Sequence, residues 1–216
     1  MYTLTEENYL KAIYKLSVHT GNVSTNQIAA LLATKASSVT DMLRKLADKL
    51  LINYTRYQGV SLTQTGEKVA VNIIRRHRLW EYFLVEKLNF KWDEVHDMAE
   101  EMEHISSTEL IDRLDEFMGF PARDPHGDPI PDCNGNFKIN DLKPVSAIPV
   151  HSGGIISGVR DHSSAFLQYL EKQELTIGKK ITVKEIISYD NAVVLQMGNK
   201  NLHISRDVAN NLLIAL

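Results

Sequence analysis

The fold of the amino-terminal part is decided by residues 24–50, which read STNQIAALLATKASSVTDMLRKLADKL. A hydroxyl side chain at Ser24 or Thr25 caps a short helix, and a turn at residues 33–36 leads into a second helix from Ser37. The second helix has apolar residues at the i, i+3, i+4, i+7 spacing of a buried face: Val39, Met42, Leu43, Leu46 and Leu50. Two helices joined by so short a turn predict a helix-turn-helix.

The flanking sequence extends this motif on both sides. Residues 4–17 have apolar side chains at helical spacing and predict a preceding helix, which ends at Gly21. Two β-prone stretches, residues 51–57 and 60–63, follow the motif and are joined by a glycine-containing turn. Three helices followed by a hairpin predict a winged helix-turn-helix DNA-binding domain over residues 1–63.

The pattern changes twice after the hairpin. A long helix capped by Thr65 and two shorter helices predict a helical domain over residues 64–142. Residues 121–150 contain all six prolines and no periodic pattern, which indicates a loop. Glycine-punctuated, alternating runs then predict a small barrel-like β domain over residues 150–216. The predicted class is mainly α with a β carboxyl-terminal part.

Composition and charge narrow the class of protein. The 216 residues are 24% charged and 44% hydrophobic, with one cysteine and no apolar run long enough for a transmembrane helix, so we expect a cytoplasmic globular protein. The net charge of −3 hides a segregation of charges. Residues 35–58 have five basic and two acidic side chains, whereas residues 93–116 have ten acidic side chains and only Arg113 as a base. This separation indicates two different tasks.

The outward face of the second helix of the motif is the candidate for reading DNA. Short hydroxyl side chains allow close approach to bases, and basic side chains suit phosphates. The candidates, including two in the wing, are Lys35, Ser37, Ser38, Thr40, Asp41, Arg44, Lys45, Arg56 and Tyr57. Every amphipathic helix has a polar face, so the pattern alone leaves DNA contacts and protein contacts both open.

A second candidate site follows from the histidines and carboxylates of the helical domain. Four ligand-type residues fall at i, i+4, i+7 and i+8 and span an arc of about 100° on one helix; they are His96, Glu100, Glu103 and His104. The preceding long helix adds a pair at i, i+4, His77 and Glu81. Imidazole and carboxylate on one face suit Mn, Fe or Zn, while a solvated acidic face is the alternative.

Several motifs together resemble a known family. They are Asn8-Tyr9-Leu10-Lys11-Ala12-Ile13-Tyr14, Ser37-Ser38-Val39-Thr40, Arg76-His77-Arg78-Leu79-Trp80-Glu81, Val95-His96 with Glu103-His104, and residues 124–131. In this order they resemble the diphtheria-toxin-repressor and manganese-transport-regulator family, in its three-domain form. The resemblance implies a winged helix, a helical dimerisation domain and an SH3-like domain. It also implies a homodimeric, metal-dependent repressor of metal uptake genes that binds double-stranded operator DNA, with no membrane and no small organic substrate as partner.

The resemblance further implies two metal positions in each subunit. The first matches Glu100, Glu103 and His104, completed by Asn8. The second matches His77, Glu81 and His96, to which the proline-rich loop adds Asp124 and His126 and the last domain adds Asp161 or His162. A cation at the first position would fix the angle between the DNA-binding and dimerisation domains, and so the spacing of the two recognition helices on DNA.

Three departures from the family bear on the metal. Glu100 stands where iron-responsive members have cysteine, and a hard carboxylate favours Mn(II), with Fe(II) next; Zn(II) or Co(II) would also bind in vitro. Asn8 stands where relatives have Met or Asp and offers a weaker, neutral oxygen. Lys11 replaces a glutamate of the two-domain manganese regulators; a charged lysine cannot coordinate a cation, which argues against their closely spaced pair of ions.

Two other classes of function stay open at this point. One is a metal-dependent hydrolase with Glu103 or Glu100 as the base, although no separate nucleophile or acid is evident. The other is a winged-helix regulator with an organic effector and no metal. Cys133, which lies in a polar loop, is expected to be an ordinary exposed thiol.

Overall fold

The structure, a computed structural model, describes residues 2–55, 59–138 and 141–216, without the side chains of His19 and Thr20. Its helices are α1 (Leu4–Thr20), α2 (Thr25–Leu31), α3 (Ala36–Asp48), α4 (Gln64–Leu88), α5 (Val95–Met102), α6 (Thr108–Phe117), α7 (Ser164–Lys172) and α8 (Arg206–Asn211), with a 3-10 turn at Val145–Ala147. Its strands are β1 (Ile52–Thr55), β2 (Gly59–Leu62), β3 (Lys143–Pro144), β4 (Gly153–Val159), β5 (Lys180–Ile186), β6 (Val193–Met197), β7 (Lys200–Ile204) and β8 (Leu212–Ala215). Two compact units contain these elements: unit 1 is Met1–His77, Glu100–Arg113 and Pro131–Asn136, and unit 2 is Arg78–Ala99, Leu114–Ile130 and Phe137–Leu216.

The first two helices of unit 1 begin with reciprocal caps. The Thr3 side chain accepts a hydrogen bond from the Glu6 backbone, and the Glu6 carboxylate accepts one from the Thr3 backbone. Ser24 and Gln27 repeat this arrangement at the start of α2. Such boxes satisfy backbone N–H groups that the first helical turn leaves unpaired. Gly21 ends α1 with a φ of 72°, a conformation that glycine adopts without steric cost.

The core of unit 1 joins the three helices to the hairpin. Its fully buried side chains come from α1, α2, α3 and the first strand region, and include Leu10, Ile13, Ile28, Leu43, Leu46 and Leu51. The strands β1 and β2 pair antiparallel with Ile52 opposite Leu62, and Val23 forms an isolated bridge with Val60. This order of elements confirms the predicted winged helix-turn-helix.

The helix α4 starts immediately after the hairpin, and its start depends on two neighbours. The Thr63 side chain accepts a hydrogen bond from the Gly66 backbone at 3.1 Å and donates one to the Leu50 carbonyl at 2.8 Å. A Cβ atom on Gly66 would overlap the carbonyl oxygen of Leu51, so only glycine fits where α4 passes the end of the hairpin. The predicted cap at Thr65 is therefore wrong: Thr63 caps α4, and Thr65 is an exposed residue inside the helix.

The carboxyl-terminal part of unit 2 is a six-stranded antiparallel sheet in the order β3-β8-β4-β5-β6-β7. Bulges interrupt the pairing of β4 with β8 and of β5 with β6, which bends a sheet toward closure. Its core is rich in β-branched and leucine side chains and includes Val145, Ile156, Leu167, Ile181, Leu195, Leu212 and Ile214. The predicted β domain is confirmed, and α7 lies between β4 and β5 in the chain.

Some details of the elements differ from the sequence expectations. Leu50 is 75% exposed rather than buried, because it lies beyond the end of α3 with a φ of 58°. The sequence predicts a helix start near Asp93, whereas α5 begins at Val95. The predicted loop at residues 121–150 also contains β3 and the 3-10 turn.

The domain boundaries at residues 63, 142 and 150 stay predictions. Within the described residues, no helix is both long and apolar enough to cross a bilayer.

Candidate metal centre and DNA-reading helix

A buried group of two carboxylates and an imidazole in unit 2 is the strongest candidate for a metal centre. Glu81, Asp124 and His126 are 1%, 6% and 0% exposed, and one ligand-type atom of each lies within 4.8 Å of the others. The Glu81 carboxylate is central: Oε1 is 3.2 Å from His96 Nδ1, and Oε2 is 3.5 Å from His126 Nδ1. Oxygen and imidazole ligands in this number suit a divalent transition metal.

The loop that holds Asp124 and His126 is fixed by its own backbone. One Asp124 oxygen accepts hydrogen bonds from the N–H groups of His126 and Asp128, both at 2.9 Å. Gly127 has a φ of 89°, and a Cβ atom there would overlap the Ser157 carbonyl. The turn therefore requires glycine directly after His126, and it places both candidate ligands on a loop rather than on a helix or strand.

Arg78 anchors the same loop to α4. Its guanidinium donates to the Pro129 carbonyl at 2.6 Å and to the Asp128 carboxylate at 2.8 Å, and its Nε lies 3.6 Å from Asp124. Since Arg78 and Glu81 lie on one helix, the loop is held close to the Glu81 carboxylate.

Burial and neighbouring charges raise the pKa values of Asp124 and His126. Burial raises the pKa of Asp124 to about 7, and the charges of Asp128 and Glu81 add to the effect against the opposing charge of Arg78. For His126, burial would lower the pKa, but the Glu81 carboxylate outweighs it and raises the pKa to about 9. In the metal-free protein a proton on His126 thus offsets part of the buried negative charge.

The orientation of His126 fits a metal ligand. Its Nε2 donates to the Trp92 carbonyl at 2.8 Å, and a hydrogen bond of this kind fixes the tautomer of metal-binding histidines. Its Nδ1 is buried without a hydrogen-bond partner within the described residues and faces Glu81. A divalent cation would satisfy this nitrogen, so the residues fit the group that the resemblance implies.

The remaining candidates of unit 2 are placed differently. His162 stacks on His126 with ring centroids 4.7 Å apart, and burial lowers the pKa of its imidazole. Asp161 accepts a hydrogen bond from the Ser163 backbone at 2.9 Å, just before α7. Neither belongs to the group of described ligand atoms that lie within 4.8 Å of one another around Glu81. The Asp161 or His162 contribution stays a prediction.

Unit 1 contains a different charged cluster at the end of α5. The Glu103 side chain is fully buried, and its oxygens lie 2.7 and 2.9 Å from Lys11 Nζ. The same ammonium lies 3.2 Å from Glu100, and His77 Nδ1 lies 2.7 Å from Glu103. Burial would raise the pKa of Glu103, but the His77 hydrogen bond and the Lys11 charge outweigh burial and lower it.

His104 contacts a residue that sequence reasoning missed. Its Nδ1 lies 2.6 Å from one oxygen of Glu7, whose other oxygen accepts a hydrogen bond from Arg76 at 3.2 Å. Glu7 is buried, while its neighbour Asn8, the predicted ligand, is half-buried. A signal existed in the sequence, since Glu7 lies one helical turn before Lys11 on α1.

The DNA-reading candidates lie as predicted along α3. All of those on α3 and its cap are exposed except Thr40, which is half-buried and donates to the Ala36 carbonyl at 3.0 Å. Arg44 lies 3.2 Å from Asp41, and this exposed pair leaves the guanidinium free to move to a phosphate. Arg56 and Tyr57 of the wing lie outside the described residues.

A shallow cavity of about 440 Å³ adjoins α3 in unit 1. Residues from α3, from the start of α2 and from the hairpin line it. They are Thr40 and Arg44 of α3, Ser24, Thr25 and Asn26 at the start of α2, and Tyr54 and Gly59 of the hairpin. The residues from α2 and Tyr54 were not among the predicted ones, because only the fold brings them beside α3.

Comparisons with known proteins agree with this architecture. Residues 1–60 match the iron dependent repressor N-terminal DNA binding domain, residues 63–132 the iron dependent repressor metal binding and dimerisation domain, and residues 143–216 the FeoA domain. A manganese-dependent transcriptional repressor solved in complex with manganese superimposes with a TM-score of 0.87 at 30% identity, covering 97% of this chain and 98% of that one. The chain belongs to the iron-dependent repressor family.

Two curated relatives are a transcriptional regulator and an iron-dependent repressor. The chain is 34% identical over 120 residues to the transcriptional regulator MntR of Bacillus pumilus, covering 56% of this chain and 83% of that protein. It is 31% identical over 127 residues to the iron-dependent repressor IdeR of Mycobacterium bovis, covering 59% and 55%. The family predicted from the sequence motifs is confirmed. Its members are DNA-binding repressors rather than enzymes, so the hydrolase hypothesis is wrong. Cys133 is exposed, as expected.

Proposed function

We propose that this chain is a homodimeric transcriptional repressor that binds operator DNA when a divalent cation occupies unit 2. The buried group of Glu81, Asp124 and His126 carries the proposal, because two carboxylates and an imidazole with ligand atoms within 4.8 Å of one another form a ligand set for a divalent cation. The membership of the family supports DNA as the partner, and the exposed polar face of α3 supplies the contacts.

Mn(II) is the proposed activating ion. The described ligands are carboxylate oxygens and imidazole nitrogens, which suit Mn(II) and Fe(II), and the only cysteine is exposed in another loop. Zn(II) and Co(II) would bind in vitro because affinity rises along the first-row series whatever the physiological ion is. His96 would complete the set through its contact with Glu81. His77, one turn before Glu81 on α4, stays a prediction.

A bound cation would supply the positive charge that the buried carboxylates lack. The chain does the rest: Glu81 would bind as a carboxylate, and binding would favour loss of a proton from Asp124 and from His126, whose pKa values are raised to about 7 and about 9. Ligands must be deprotonated for binding, so the affinity for the ion rises with pH. By linkage, an ion that favours the DNA-binding form is itself bound more tightly on DNA.

A selection for DNA tests the proposed function. Random duplexes are selected with the full chain and Mn(II), and the recovered duplex is titrated by fluorescence anisotropy at fixed salt with and without the ion. We expect Mn(II) to lower Kd by at least about tenfold and Glu81→Gln to remove that response. Equal Kd values with and without Mn(II) in the wild type would contradict the proposal.

A matched pair of variants tests the contacts of α3. Arg44→Ala should weaken Mn(II)-activated binding to the recovered duplex and reduce the salt slope of log Kd by about one, as loss of one phosphate contact requires. Lys184→Ala is the control, because Lys184 is an exposed base on β5. Equal losses of affinity in the two variants would contradict a specific contact from α3, because removing any exposed base would then weaken binding equally.

A further inference from the structure

The ammonium of Lys11 occupies the centre of the charged cluster of unit 1. It lies 2.7 and 2.9 Å from the two oxygens of Glu103 and 3.2 Å from Glu100. The Lys11 side chain is 8% exposed and that of Glu103 is 0% exposed. An ammonium has three N–H donors and no acceptor, so three carboxylate oxygens satisfy it completely.

The other members of the cluster also have partners. His77 lies against Glu103, and Glu7 is shared between Arg76 and His104. The predicted ligand Asn8 is neutral and adds no charge. The cluster therefore matches each buried carboxylate with a cation or an imidazole from the chain itself, which is the condition under which buried charges are tolerated.

We propose that Lys11 is a built-in cation, which takes the place of the divalent ion that the family resemblance assigns to Glu100, Glu103 and His104. A metal ion there would have to displace the ammonium and leave it buried without acceptors. The chain thus uses one regulatory ion per subunit, and the contact between α1 and the end of α5 forms without metal. The residues present do not fit a second ion. This inference goes beyond the proposed function, because it concerns unit 1 alone.

The stoichiometry of Mn(II) binding by the full chain tests the inference. Free Mn(II) is measured by electron paramagnetic resonance during a titration of wild type, Lys11→Glu and Glu81→Gln. The wild type should bind one ion, and Lys11→Glu should bind two, because it removes the ammonium and adds a carboxylate. A wild type that binds two ions, one of which is lost in Glu103→Gln, overturns the inference.

The double variant Lys11→Glu with Glu81→Gln separates this inference from the proposed function. It should bind one ion, since the created position in unit 1 does not depend on Glu81. If the wild type binds no ion and Lys11→Glu binds one, the inference holds and the proposed metal centre of unit 2 fails. If Lys11→Glu binds no more Mn(II) than the wild type, the inference fails.

A stability measurement covers the case in which Lys11→Glu does not fold. In chelator-treated protein, Lys11→Met should lower the Tm by about 10 °C, because it leaves Glu103 buried without its ammonium. Lys49→Met is the matched control, since Lys49 is half-exposed and pairs with Glu6 at 2.6 Å; its Tm should fall by no more than about 3 °C. Equal shifts for both variants overturn the inference.

Discussion

At the scale of single residues, the environment rather than the residue type separates the roles of the carboxylates. Glu81, on α4, and Glu103, in the turn after α5, are both buried, yet imidazoles lie against Glu81 whereas Glu103 faces an ammonium as well as the imidazole of His77. The first carboxylate can still take a cation, and the second already has one. Spacing along the sequence assigned both to metal positions, because spacing cannot show which side chain lies opposite.

Glu6 gives a prediction about pH. The hydrogen bond from Lys49 holds the pKa of Glu6 below the usual glutamate value of 4.5, despite burial. A lowered folded pKa stabilises the protein above the unfolded pKa, and this contribution is lost as pH falls through the folded pKa. We expect the wild type to exceed Glu6→Gln in free energy of unfolding by about 1 kcal/mol near pH 6, and the difference to vanish near pH 3.

Urea unfolding at the two pH values checks this expectation. Glu109→Gln is the control, because Glu109 and Arg113 form an exposed pair at 2.8 Å that contributes little. A difference between wild type and Glu6→Gln that does not change with pH would assign the effect of Glu6 to packing rather than to its charge.

At the scale of elements, the sequence located the helices better than their first residues. Thr3 and Thr5 both have a side chain that can cap α1, as Ser24 and Thr25 do for α2, and the structure selects Thr3 and Ser24. In each case the selected residue has Glu or Gln at N3, so the capping-box rule could have decided both. No such signal marked the start of α4, since Thr63 acts partly through the Leu50 carbonyl of the preceding segment.

The two threonines at the start of α4 form a matched pair for mutation. Thr63→Ala removes an N-terminal cap and a hydrogen bond to Leu50, so it should lower the free energy of unfolding by about 1–2 kcal/mol. Thr65→Ala should change it by less than about 0.5 kcal/mol, because Thr65 is exposed inside the helix. Urea denaturation of both variants tests which threonine caps α4. Equal losses of unfolding free energy would contradict the assignment of the cap to Thr63.

At the scale of the whole molecule, metal binding should appear as stability. A ligand that binds only the folded state adds about 2.7 kcal/mol at a hundred times its Kd, which is a rise in Tm of roughly 5–10 °C for a chain of this size. Mn(II) should raise the Tm of the wild type, and chelator should reverse the effect. Asp124→Asn should lose most of the response, whereas the exposed Asp190→Asn should keep it. A response that survives in Asp124→Asn would remove Asp124 from the metal centre.

The sequence by itself determined the winged helix, the helical segments, the β domain and the family. These follow from local signals: the spacing of apolar residues along α3, the glycines that end helices, and motifs such as residues 76–81 and 124–131. Local periodicity depends on neighbours in the chain, so a single sequence contains it. The candidate DNA-reading face of α3 follows from the same spacing.

Only the tertiary structure decided which charges meet. Lys11 and Glu103 are 92 residues apart, and Glu7 and His104 are 97 residues apart. No spacing rule relates such residues, because their approach depends on how the helices pack. The same holds for Glu81 and His126, which a loop closed by Gly127 brings together. The sequence thus supplied the candidate ligands, and packing decided that an ammonium accompanies one buried carboxylate while imidazoles lie against the other.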